Sequence, residues 1–364
     1  MPNKPDSQLS TEIAGRFTSG SDQWTGQELE DSLIDLVDSK LNKADYAPAG
    51  TAATFSVPVT VQAIDNVSFK RNDSQSAVVL PNGNILCVFT NFYGVSTEDA
   101  GTARLYAKES ADDGLTWGSG RVVITNANTT WNVYCPNLYV RTNGTVGLVF
   151  LAKNPSNDQT KYYQMTSTDN GATWGTPAEI LDAPTKYTIG AFDRVFKARS
   201  GRWFLPLQEN QNGILDGNAG IYTGFYLYSD NEGVTWSESA SRTLISSPDN
   251  LVDEPGMFSV PRFVDSQANE TEKLVFYWRT RSGTVYASES INNGTSWSAA
   301  FSLGIEAPNS TTTIVGYKGT LIACHNRLFA SNPSTAEARA VLDLSISKDN
   351  GSTWSRTVTV EHGT

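Results

Sequence analysis

Sulfur and imidazole are scarce in this chain. Three cysteines and two histidines occur in 364 residues. Cys87, Cys135 and Cys324 lie far apart, odd in number and outside any metal-ligand spacing. That excludes a disulfide framework and a cysteine–histidine metal centre, and the thiols read as small buried hydrophobes. No metal and no cofactor is expected. Charge is thin as well, at 18% of residues, and it leans acidic: the net charge is −11 and the isoelectric point about 4.7. Such a surface repels nucleic acid and anionic membranes, although a local arginine cluster would still hold an anionic ligand. No run of 18 apolar residues is present, so no membrane-crossing helix is expected. The opening MPNKPDSQLSTEIAGRF has no apolar h-region, and no ordinary secretory signal is expected.

What the chain has in quantity is glycine, tryptophan and one repeated phrase. SADDGLTW (110–117), STDNGATW (167–174), SDNEGVTW (229–236), SINNGTSW (290–297) and SKDNGSTW (347–354) share the pattern Ser-x-Asp/Asn-x-Gly-x-Thr/Ser-Trp. Successive copies begin 57 to 62 residues apart, a period that marks stacked or radially arranged units. The Asp or Asn at the third position hydrogen-bonds the backbone ahead of it and stabilises a turn. The Gly admits positive φ. The Trp buries a large apolar surface beside the hairpin.

Between the boxes, apolar runs come in pairs around turn residues: VVLPNGNILCVF, LYVRTNGTVGLVF, VFKARSGRWFLPL, a fourth pair with a longer polar loop, and TIVGYKGTLIAC. Asn-Gly and Ser-Gly turns between apolar runs predict hairpins. The spacing leaves room for a third strand before each box and a fourth after it. Four antiparallel strands per repeat make one blade of a β-propeller. The predicted fold is therefore an all-β propeller over residues 51–364. Residues 1–50 precede it as an arm with one amphipathic helix. Thr25-Gly-Gln-Glu28 reads as its capping box, and Leu29, Leu33, Leu36, Val37 and Leu41 follow at helical spacing. That helix is too short to be stable alone. Its stripe must dock on the propeller rim, on other copies, or on a larger assembly.

The boxes and their register resemble the sialidase superfamily, the bacterial neuraminidase repeat proteins. The resemblance implies six blades, of which five carry a visible box: either the sixth is assembled partly from residues 46–70 and the C-terminus, or this is a five-bladed variant, or the chain lacks a segment its relatives have. The stretch LNKADYAPAG resembles segments preceding the body of bacteriophage tail fibre proteins. That implies a virion or extracellular location, attachment to tail proteins through residues 1–50, and homo-oligomers, a trimer among them.

The superfamily's chemistry uses an arginine clamp for a substrate carboxylate, a Tyr nucleophile, a Glu that takes the Tyr proton, and a loop Asp as acid and base. By resemblance, Glu254 in DEPGMFSV matches the Glu, Arg279 an arginine at an inner strand end, and Asp193 and Arg194 an Asp-Arg strand start. Asp99 matches the loop acid, and Arg339 an arginine that precedes the last box. His325 and Asn326, after an inner strand, complete the expected sugar-binding set. Two parts of the pattern depart. The first clamp arginine is displaced, with Arg71 the nearest, and no Tyr falls in a sixth blade. Three functions stay open: a glycosidase acting on cell-surface glycan bearing sialic acid or another acidic sugar, a non-catalytic receptor-binding tail protein, and an interaction propeller for a protein partner.

Overall fold

The computed structural model describes residues 59–362, apart from 66, 95–100, 127–130, 155, 157–158, 184–186, 213–219, 264–269, 318–319 and 328–340. The predicted helix at 29–41 lies outside the described residues, as do Asp99 and Arg339. Among the described residues the strands form five antiparallel sheets in chain order. The first holds β1 (Arg71–Val79), β2 (Ile85–Phe92), β3 (Ala103–Ser110) and β4 (Arg121–Thr125). The second holds β5 (Asn132–Val140), β6 (Val146–Lys153), β7 (Thr160–Ser167) and β8 (Ala178–Ala183). In the third, the first strand is broken into β9 (Thr188–Ile189) and β10 (Phe196–Lys197), followed by β11 (Trp203–Asn210), β12 (Tyr222–Ser229) and β13 (Ser237–Glu238). The fourth holds β14 (Asp253–Phe263), β15 (Glu270–Arg279), β16 (Thr284–Ser290) and β17 (Phe301–Glu306). The fifth holds β18 (Thr313–Tyr317), β19 (Thr320–Asn326), β20 (Val341–Ser347) and β21 (Ser355–His362).

Burial explains the strand sequences. The second strands β6 (VGLVFLAK) and β11 (WFLPLQEN) are buried at every position, because each sheet is sandwiched between its neighbours and both faces of these strands are covered. Third strands alternate, as in ARLYAKES. Fourth strands are half solvated, as in FSLGIE, and form the rim. First strands of neighbouring sheets approach one another, β1 against β5 and β14 against β18, and so line the axis.

The propeller is as expected, but the described residues form five blades. The residues after the last box are consumed by β21, the outer strand of the fifth sheet, so they cannot found a sixth. Residues 59–70 form turns rather than a strand, with Asp65 Oδ1 accepting backbone N–H bonds from Val67, Ser68 and Phe69 at 2.8 Å each.

Each box closes the same way. In the first, Gly114 N–H donates to Ser110 Oγ at 2.8 Å, and Thr116 gives its N–H to Asp112 Oδ1 at 2.8 Å and its hydroxyl to Asp112 Oδ2 at 2.6 Å. Where the box has Asn, the amide reverses the last bond: Asn231 Nδ2 donates to Thr235 Oγ1. Boxes also tie blades together. Tyr139 Oη donates to Gly233 O at 3.1 Å, Arg141 Nη2 to the same oxygen at 2.8 Å, and Tyr226 Oη to Gly294 O at 2.7 Å.

Candidate functional site

The strand register gives every blade two unlike ends. The hairpin between first and second strands and the box between third and fourth lie at one end, as Ile85 opposite Ser110 illustrates. We call it the turn face. The other end, where first strands begin and second strands finish, is the mouth.

Non-glycine residues with positive φ fall almost entirely into two sets. Asp113, Asn170, Glu232, Asn293 and Asn350 occupy the fourth position of the five boxes. Ser74 (φ 50°), Cys135 (φ 51°), Asp193 (φ 54°) and Glu254 (φ 42°) lie on or between the axial strands of four successive blades. Three of these are β-bulges, interrupting register between Asp73 and Gln75, Tyr134 and Asn137, and Asp253 and Gly256. A bulge inserts a residue and re-aims its side chain. Left-handed backbone at a residue with a Cβ is held only when the surroundings enforce it. Pro136 and Pro255 follow the bulged residues directly; with no N–H, a proline cannot join the ladder there.

Glu254 and Arg279 do come together. Arg279 lies opposite Asp253 in the β14–β15 register and donates to its Oδ2 from Nε at 2.9 Å and Nη2 at 2.8 Å. Its Nη1 is 3.2 Å from Glu254 Oε2. Gln208, at the end of β11, donates from Nε2 to Asp253 Oδ1 at 2.7 Å and accepts the Glu254 N–H. Thr311 donates its hydroxyl to Glu254 Oε2. Arg279 and Thr311 thus hold the Glu254 carboxylate, while Gln208 of the neighbouring blade fixes its backbone and Asp253.

Around the axis, Cys135 reports what else is near. Burial pushes its thiol up to about 12, against the pull of Lys153, while the charges of Asp73 and Glu254 push it further. It is therefore no nucleophile at neutral pH. The charges of Asp73 and Glu254, from different blades, both act on this thiol. Lys153 lies 4.9 Å from the Tyr134 ring centre and 5.5 Å from that of Tyr187. Arg71 is paired with Asp73 and stands 4.7 Å over Phe92.

Asp193 and Arg194 lie deeper, in the break of the third blade's first strand. Asp193 Oδ1 accepts from Ser76 Oγ at 2.6 Å, and Arg194 N–H donates to Asn137 Oδ1 at 2.6 Å. Burial raises the Asp193 pKa, with the Ser76 bond and Arg194 opposing. Its side chain is nonetheless reached by water, because it lines a cleft within the protein. Arg194 is buried, donating to Thr313 Oγ1 at 3.1 Å and to Thr312 O at 2.8 Å. The cleft below it, about 750 Å³, runs past Met257, Phe258 and Val315 to Asn350 of the fifth box, toward the turn face and away from Glu254. His325 is buried, with Nε2 2.9 Å from Ser345 Oγ and Nδ1 3.0 Å from Asn326 O. Asn326 Nδ2 donates to Val341 O at 3.2 Å.

Sequence reasoning passed over Asp73, Lys153, Gln208 and Asp253. One signal was available: Cys-Pro and Glu-Pro at matching places in two repeats both announce a bulge.

Residues 83–364 match the family model of the BNR repeat-like domain. No curated protein matches the chain by sequence. Among solved structures, the Hadza microbial sialidase Hz136 superposes with a TM-score of 0.64 at 16% identity, over 81% of this chain and 60% of that one. The NanB sialidase from Streptococcus pneumoniae gives 0.59 at 12% identity, over 84% and 63%. A Trypanosoma rangeli sialidase in complex with sialic acid gives 0.57 at 17%, over 82% and 49%. The chain thus spans between 49% and 63% of these proteins' lengths, and at such identities the likeness is one of fold.

Proposed function

The chain belongs to the family of BNR repeat-like domains, and from that premise we propose that it is a carbohydrate-active propeller that binds a cell-surface glycan at its mouth and hydrolyses a glycosidic bond there. The observation that carries the reading is a carboxylate at the mouth beside a β-bulge in each of two blades: Glu254, held by Arg279 and Thr311, and Asp73, at the bulge of β1. Paired carboxylates are the equipment of glycoside hydrolysis: one protonates the leaving oxygen and the other assists the attacking group from the opposite side of the sugar ring. Glu254, fixed by Arg279 and Thr311, is assigned the assisting role. Asp73 or Asp99 supplies the proton. Asp193 and Arg194 act as a hub that fixes the axial strands.

The test is release of reducing sugar from a glycan panel. Glu254→Gln, and one of Asp73→Asn and Asp99→Asn, should each lower turnover by at least about a hundredfold while the melting temperature stays near that of the parent. Full activity in Glu254→Gln, or in both aspartate variants, would sink the assignment.

A second reading is retention without cleavage. It draws support from Arg279, whose guanidinium is already taken by two carboxylates. With it goes the placement in a phage tail, as a homo-oligomer attached through residues 1–50, which rests on the sequence of that segment alone. Light scattering on the full chain and mass spectrometry of virions test it.

A further inference from the structure

Resting on the reading of the mouth as a glycan site, we infer that the sugar it takes is a neutral, hydroxyl-rich one and not a carboxylate-bearing one. A ligand carboxylate needs a cation whose charge is available. Among the described residues, four guanidinium groups at the mouth ends of the strands are already engaged by carboxylates of the protein, and a fifth, Arg281, has its Nη2 shut off from water. Arg71 is paired with Asp73, and Arg279 with Asp253 and Glu254. Arg242 Nη1 is 2.8 Å from Glu209 Oε2, with Glu238 on its other side. Arg327 forks Asp343 at 2.6 and 2.7 Å. Arg104 is wrapped by Phe69, Tyr93 and Tyr106 and donates to Asn91 Oδ1 at 2.8 Å.

Three of these pairs do not open readily, while Arg71–Asp73, about a third exposed on both sides, is the looser one. The side chains of Asp343 and Glu209 are 0% and 3% exposed, and that of Asp253 is 14%. An incoming carboxylate that drew an arginine away would strand a charge with little access to water, which is far costlier than breaking a surface pair. It would also enter beside Asp73 and Glu254, opposed chiefly by Lys153. A sugar hydroxyl meets none of these obstacles. It donates to the remaining lone pairs of Asp73 and Glu254, each oxygen of which accepts two bonds, and it accepts from the Lys153 ammonium.

The experiment is a binding titration of the full chain against neutral hexose and N-acetylhexosamine glycans. The same glycans capped with sialic or uronic acid are titrated alongside, at low and high salt. The expected result is at least tenfold tighter binding of the uncapped member of a pair, with little salt dependence. Preference for the capped glycan, weakening with salt, overturns the inference and leaves the glycan reading standing. Failure to bind either class overturns both. In a second arm, Asp253→Asn, checked for folding by its melt, releases part of the Arg279 charge. It should narrow the discrimination at least threefold. Unchanged discrimination in a folded variant also counts against the inference.

Discussion

The two ends of each blade use the same backbone device to opposite effect. At the turn face, a positive-φ residue recurs at one place in all five boxes, and the hydrogen bonds around it repeat almost atom for atom. Along the axis, positive φ recurs in four blades, yet its bearers are Ser, Cys, Asp and Glu. A structural motif repeats its side chains because one turn has one best solution. The axial positions vary theirs because they serve different ends, Glu254 at the mouth and Asp193 in a hub that ties axial strands together. The comparison teaches that strain marks both places and that only the constancy of chemistry separates scaffold from site.

The largest effect expected at the mouth is on turnover. Glu254→Gln should lower it by roughly 10²–10⁴-fold, the range for loss of a positioned acid or base, with stability almost untouched. A steady-state assay beside a thermal melt checks both halves. At the turn face the sign reverses, stability moving and turnover following only through folding. Gly233 has φ +72°, and an added Cβ would fall 2.7 Å from the Tyr139 hydroxyl oxygen that bonds its carbonyl. Gly233→Ala should cost about 2–4 kcal/mol, combining left-handed strain with overpacking. Gly83→Ala, at φ +87° with nothing within 4 Å, should cost only about 1 kcal/mol. Equal costs in urea unfolding would show that packing between blades adds nothing at the box. Between these two, Ser229→Ala leaves the Gly233 N–H without its 2.8 Å acceptor and should cost about 1–2 kcal/mol.

Acid separates the two regions by sign. Asp169 and Asp349 are held down to about 2, chiefly by the Ser167 bond in the first case and the Thr353 bond in the second. Their contribution to stability is complete above the unfolded value near 4 and is lost as pH falls toward about 2. Asp193 runs the other way. Its folded pKa is raised by burial, so its contribution is complete below the unfolded value and is lost as pH rises through the folded one. Asp193→Asn should therefore raise the melting temperature at neutral pH, and the gain should vanish in acid. Asp169→Asn should lose stability at neutral pH instead, since Asn cannot accept the Thr173 hydroxyl bond in the same sense. Melts of both variants across pH decide it.

Much of this architecture is legible in the residues. Five Ser-x-Asp/Asn-x-Gly-x-Thr/Ser-Trp phrases announce five blades because the interactions within each box are local, spanning two to four residues. The sixth blade came from the resemblance, and β21 refutes it by taking the C-terminal residues as a rim strand. Glu254 and Arg279 were nominated from sequence and lie together. Asp73 and Lys153 were missed because nothing local links a residue of β1 to the end of β6.

By itself, then, the sequence determined the repeat, the hairpins, the antiparallel four-strand blade and the pairing of turn with box, all set by contacts between near neighbours in the chain. Only the tertiary structure decided how many blades there are. It also decided that Arg279 is already neutralised across its own β14–β15 hairpin, and that Asp193 and Arg194 tie the axial strands together through Ser76 and Thr313. The hub depends on which blades meet at the axis, and residues more than a hundred positions apart become neighbours there only when the sheets pack.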